Sequence, residues 1–209
     1  MSEMTLSQAH AEAAHDAHVP SREQIHNSKL AMWLYLASEV IIFTVLIAAY
    51  AVFRFNNPDI VKAVHEELGI ALVTFNTFLL LASSWAMVMG LREAQKDNPQ
   101  GLVRWISLTA LMGAAFVALQ VVEYNELAHL GITLQDSEAW GGFGMRFYAP
   151  TAFHGAHVIV GVLWALRVIN RGRQGIYNAR NYLAVEIFGL YWHFVDVVWI
   201  FLFTIIYLI

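Results

Sequence analysis

The chain of 209 residues contains no cysteine. That absence excludes disulfides, thiolate metal sites and thiol nucleophiles together. Charge is scarce as well. Asp, Glu, Lys and Arg make up 13% of the residues, against about 25% in an average soluble domain, so little of the surface is built to face water. The net charge of −4 and the lack of a dense Lys/Arg cluster give no footing for a nucleic-acid partner. No Gly-rich loop resembles a phosphate cradle, and no Ser-His-Asp arrangement is readable. Internal repeats are missing too, which argues against a transporter made of two related halves.

What is there is apolar, 58% of the residues. A helix crossing the hydrocarbon core needs about 20 mostly apolar residues. Five windows qualify, near 30–53, 68–91, 102–126, 147–169 and 182–208. The expected fold is therefore all-α, a polytopic membrane protein with a five-helix transmembrane bundle as one domain over 29–209. Residues 1–28 differ: polar, mildly acidic and His-rich (His10, His15, His18, His26). They lack the basic start and the apolar run of a secretory signal. They read as a solvated cytoplasmic tail.

Lys and Arg distribute unevenly about the spans. Arg22, Lys29, Arg92, Lys96, Arg104, Arg167, Arg171, Arg173 and Arg180 fall on one side, and Arg54, Lys62 and Arg146 on the other. The positive-inside rule then puts the N-terminus in the cytoplasm and, after five crossings, the C-terminus outside.

Ionisable groups inside a span cost several kcal/mol and so usually have partners. The candidates are Glu39, Glu123, His154, His157, Glu186, His193 and Asp196. At about 100° per residue, Glu186, Gly189, His193 and Asp196 share one stripe of the fifth span. His154, His157 and Gly161 share a face of the fourth, and Gln120 and Glu123 a face of the third. Gly155, Gly161 and Gly189 would let helices approach closely. A bundle with these stripes turned inward satisfies the pattern. Imidazole and carboxylate also ligate metals, so a metal or haem site stands beside simple interhelical hydrogen bonding. An ion path along a lone carboxylate is a third reading. Several of the seven tryptophans lie near span ends, where an aromatic belt is expected.

Four stretches carry a resemblance. YWHFVDVVWIFLF at 191–203 resembles the last-helix signature of subunit III of the haem–copper respiratory oxidases. TAFHGAHVIVG at 151–161 is similar to that family's next-to-last helix, LQVVEYNE at 119–126 to an earlier one, and SEVIIF at 38–43 to the first that is shared. The likeness runs from about residue 28 to the end and looks like the short, five-helix bacterial form.

The resemblance implies an accessory subunit of the bacterial inner membrane with no catalytic centre of its own. Haems and copper belong to the partner subunits, and no metal or other cofactor to this chain. Its implied partners are oxidase subunits I and II, phospholipid in a cleft, and, in some settings, a respiratory supercomplex. Its implied role is to sustain proton uptake and turnover. The family's two membrane-embedded carboxylates fall on Glu39 and Glu186. The lipid groove is expected between the first two spans and the last three. Glu39, with no Lys or Arg in its span, is expected as a neutral carboxyl bonded to Glu186. Glu123, His154, His157, His193 and Asp196 are expected as an interhelical polar network. Ser38-Glu39 and Tyr191 look like the cytochrome c branch of the family, with a quinol oxidase subunit III as the alternative, and an independent membrane haem or metal protein behind both.

Overall fold

The structure, a computed structural model, describes residues 21–67, 69–134 and 140–209. His10, His15 and His18 of the expected tail lie outside those residues. Five helices are long and apolar enough to cross a membrane. They are α1 (Arg22–Asn56), α3 (Ile70–Gln95), α4 (Pro99–His129), α5 (Phe143–Arg173) and α6 (Leu183–Leu202). A π-helical turn, Phe203–Leu208, extends α6, and a short helix α2 (Pro58–Glu67) follows α1. Among the described residues no named strand forms.

The helices overrun the expected spans because their ends are capped in water, where hydropathy gives no signal. Ser21 accepts from the backbone N–H of Gln24, and the Gln24 side chain accepts from the Ser21 N–H. This reciprocal cap satisfies two of the helix's first free donors. It starts α1 at Arg22, within the segment read as tail, and leaves His26 exposed. The 35 residues of α1 reach about 52 Å at about 1.5 Å each, well beyond the hydrocarbon thickness of about 30 Å. At α5 the turn is made by Gly142, whose φ of 85° suits a residue without Cβ.

α3, α4, α5 and α6 form a closed ring, each packing on the next and α6 returning to α3. α1 lies outside it, against α5 and α6. The first two spans are thus not a pair, which corrects the expected groove. The apolar groove beside α1 runs between α1 and α6, lined by Val40, Phe43, Ile47, Phe194 and Val197, with a volume of about 330 Å³. α1 joins the bundle through few residues because its apolar face is wide and mostly turned away. Leu34, Ile41, Val45 and Val52 are all exposed.

Bonds at the two ends fix which termini share a side. Lys29 near the start of α1 pairs with Glu186 in the first turn of α6 at 2.7 Å. Asp97 in the α3–α4 turn accepts from the Ala179 N–H of the α5–α6 loop at 2.6 Å. These contacts gather the Arg/Lys-rich ends together. At the far end, the π-turn leaves carbonyls without helical partners. Arg54 donates to Ile205 and Ile209 carbonyls, and His65 Nε2 lies 2.7 Å from the Ile206 carbonyl.

Trp192 is the keystone of the ring. It is 1% exposed. Its ring lies against Gly113 of α4 and Gly161 of α5, and its indole N–H donates to Ser83 Oγ of α3 at 3.0 Å. One side chain of α6 therefore touches all three other ring helices. Trp33 and Trp85 are exposed as belt residues should be, but Trp192 and Trp199 are core.

Candidate functional site

The polar residues fall into three groups at different helix contacts. The first joins α1 to α5. Glu39 Oε2 lies 3.3 Å from His157 Nε2. The His157 Nδ1 is 2.8 Å from the Phe153 carbonyl, and Tyr191 of α6 donates to the His157 carbonyl at 2.9 Å. A carbonyl can only accept, so Nδ1 carries hydrogen. Nε2 then has a lone pair unless the ring is charged. The two side chains face each other across the α1–α5 contact, and Glu39 Oε2 has no hydrogen-bond partner at this geometry. The side chain beside Glu39 is His157 and not the expected Glu186. Glu186 is not beside Glu39: its partner Lys29 is ten residues back along α1, about 15 Å away along the axis. It sits half-buried at the head of α6, where a negative charge also complements the helix dipole.

The second group joins α3 to α6. Ser84 Oγ is 2.6 Å from His193 Nδ1, and Asp196 faces the same serine. Trp192 Nε1 donates to Ser83, and Trp199 Nε1 to Thr77 at 2.9 Å. These bonds run along one seam. Gly189 lies against Met87 of α3 in the same row. The stripe of the fifth span thus faces a neighbouring helix. The ring interior is taken by Trp192 and Trp199, whose large apolar rings gain more from full burial. Nothing in the spacing of Thr77, Ser83 and Ser84 along α3 says that they meet α6. Interhelical bonds in membranes are worth about 0.6 kcal/mol on average. Ser84→Ala should lower thermal stability in mild detergent by about that amount, and Ser83→Ala, which frees a buried indole N–H, by about 1–3 kcal/mol. Equal, negligible losses would show that the seam is held by apolar packing alone.

The third group lies inside the ring. Glu123 of α4 faces Tyr207 beyond α6. Tyr124 donates to Thr151 at 2.9 Å, and Tyr148 to the Ile132 carbonyl at 3.0 Å. His154 is fully buried, and neither of its ring nitrogens has a hydrogen-bond partner. It stacks on Trp199 at 4.9 Å and meets the Phe116 ring edge-on at 5.7 Å.

The histidines do not converge. His154 lies between aromatic rings, His157 on α1's carboxyl and His193 on α3's serine. Among the described residues no three His, Asp or Glu side chains gather as a ligand set. In the loop beyond α5, burial raises the Tyr177 phenol above its ordinary value, opposed by Arg171 beside it.

Residues 7–209 match the profile of the family described as Cytochrome c oxidase subunit III. The chain is 36% identical to cytochrome c oxidase subunit 3 of Thermostichus vulcanus, with 86% of each chain covered. It is 39% identical to the protein of that name from Synechocystis sp., covering 84% of this chain and 73% of the relative. It is also 33% identical to quinol oxidase subunit 3 of Bacillus spizizenii, over 86% of this chain and 85% of the relative. With five apolar crossings and a match along nearly its whole length, the chain belongs to the subunit III family of the haem–copper respiratory oxidases and is a multi-pass membrane protein.

Proposed function

We propose that this chain is the accessory subunit of a bacterial cytochrome c oxidase. It packs on subunit I, beside subunit II, holds phospholipid along its helices, and sustains proton uptake through prolonged turnover. It carries no haem or metal itself; the oxygen chemistry belongs to its partners. The observation that carries this reading is how its polar side chains are spent. Glu39, His193 and the two buried tryptophans each face a side chain on another helix, so the ionisable groups join helices instead of converging on a centre. The Lys/Arg-rich end favours an N-terminus in the cytoplasm and a C-terminus outside the inner membrane. The groove between α1 and α6, with its apolar lining, suits an acyl chain close to Glu39.

The test is the native complex with and without this chain. The complex lacking it should keep its haem spectrum and initial oxygen consumption, and should lose activity progressively over many turnovers. A Soret band on the isolated chain, or an immediate loss of the oxygen-reducing centre's spectrum, would refute the assignment. Relatives named as quinol oxidase subunits favour a second reading. Supplying the purified complex with reduced cytochrome c or with a quinol decides between them.

A further inference from the structure

The outer surface between α4 and α5 carries a feature that helix packing does not require. At the Arg/Lys-rich end a hollow of about 450 Å³ is lined by Pro99, Gln100, Arg104 and Arg173. Arg173 also lines a second hollow, of about 470 Å³, whose other walls include Ala110, Ala114, Val162, Leu166 and Ile169. Arg173 thus borders both hollows. The upper part is cationic and the lower part apolar.

Both arginines are exposed. Among the described residues neither has an ion pair, and Arg171, the nearby alternative cation, faces Tyr177. The apolar part exists because α4 presents small side chains there: Ser107, Ala110 and Ala114 recur at helical spacing and leave a trough beside Val162 and Leu166.

The depth of this trough can be judged from helix rise. Ala114 is ten residues beyond Arg104, and Val162 is eleven before Arg173. At about 1.5 Å per residue the trough reaches about 15 Å below the arginines. That is half of a hydrocarbon core about 30 Å thick, the depth of a single leaflet.

We infer that the α4–α5 groove is a binding site for one anionic phospholipid, its phosphate held by Arg104 and Arg173 and one acyl chain lying over Ala110 and Ala114. The site is separate from the α1–α6 groove. It rests on the membrane spans and not on the oxidase assignment. Two uncompensated guanidinium groups at headgroup depth suit an anionic lipid. A covering protein helix would have to bring two carboxylates to the same level.

The test counts lipid on the intact purified complex by native mass spectrometry, per copy of this chain. The complex is stripped of lipid and offered palmitoyl-oleoyl phosphatidylglycerol or the matching phosphatidylcholine. Each arginine should account for roughly fivefold in retention, and the Arg104→Ala/Arg173→Ala pair for roughly thirtyfold. Ala114→Phe, which fills the trough and leaves both arginines, should also lose the lipid. Phosphatidylcholine should be held more weakly, and inorganic phosphate should not displace the glycerol lipid. The inference fails if the parent and both variants retain equal lipid with the chain still assembled. It also fails if phosphate competes fully and Ala114→Phe has no effect, since the hollow would then bind an ion alone. Because the chain has no cysteine, Leu111→Cys gives a single thiol at the trough. Cross-linking of that thiol to another oxidase subunit in the parent background would show that protein covers the groove. Whether the oxidase subunits co-purify is read separately, so failure of the functional assignment leaves the lipid count interpretable.

Discussion

Trp192→Ala is expected to destabilise the helix ring by about 3–5 kcal/mol, the usual cost of removing a large buried aromatic side chain, and to release the subunit from its complex. The reason is the position of the ring. A Cβ built on Gly113 would lie 2.6 Å from its Cη2, and one on Gly161 2.6 Å from its Cζ3. The indole therefore fills the space that two glycines on two different helices leave open, while its N–H holds a third helix through Ser83. Alanine would leave a cavity at a place where α3, α4, α5 and α6 are joined by one side chain. Lipid cannot enter such a closed space to compensate. Trp192→Phe keeps most of the packing but drops the hydrogen bond, so its cost should be clearly smaller. Gly161→Leu is the converse experiment: it forces a side chain into the indole and should cost about 1–3 kcal/mol through overpacking. Thermal unfolding of the purified complex, with the amount of retained subunit measured alongside, checks all three. If Trp192→Ala and Trp192→Phe unfolded at the same temperature as the parent, the ring would not depend on this residue.

Glu39→Gln should leave assembly intact, whereas Glu39→Leu should cost about 1–3 kcal/mol, the penalty for a buried polar group stripped of its partner. The difference follows from what the side chain can offer His157. His157 Nδ1 is committed to the Phe153 carbonyl, so its Nε2, 3.3 Å from Glu39, is the atom left to face α1. Glutamine keeps a polar group facing Nε2 and so keeps the contact between α1 and α5. Leucine supplies nothing. The contact matters more than its size implies, because α1 is the helix outside the ring and has few other polar links within the spans. We expect the Gln variant to keep the haem spectrum and the initial rate of oxygen consumption, and to lose the ionisable carboxyl. Any effect on function should then appear in proton uptake or in the number of turnovers before inactivation. The Leu variant should also shed the subunit more readily. Equal stability of the Gln and Leu variants would dismiss the polar contact between α1 and α5. Loss of the oxygen-reducing centre's spectrum with the subunit still bound would give Glu39 a role in the chemistry itself.

The sequence by itself determined the number of crossings, since five apolar windows separated by polar punctuation admit little else. It also determined which residues share a helix face, because helical periodicity is a local property of the chain. Gly155, Gly161 and Gly189 could be read as close-approach positions only in general terms, and Gly113 was not singled out. The family motifs located the fifth span and the buried carboxylate of the first. The capping box at Ser21 and Gln24 was readable in principle, but the hydropathy windows that located the spans do not register polar caps.

What only the tertiary structure decided was which faces meet. Periodicity gives the angle of a side chain about its own axis and nothing about the neighbour placed at that angle. His193 and Ser84 are 109 residues apart, and Lys29 and Glu186 are 157 apart. No local rule connects them. For the same reason Trp192 and Trp199 could pass for belt residues: in a membrane both the lipid and the core are apolar, so composition alone does not separate an outward aromatic from an inward one. The ring closure of α6 onto α3 made that separation, by placing two indoles where glycines and hydroxyls could receive them.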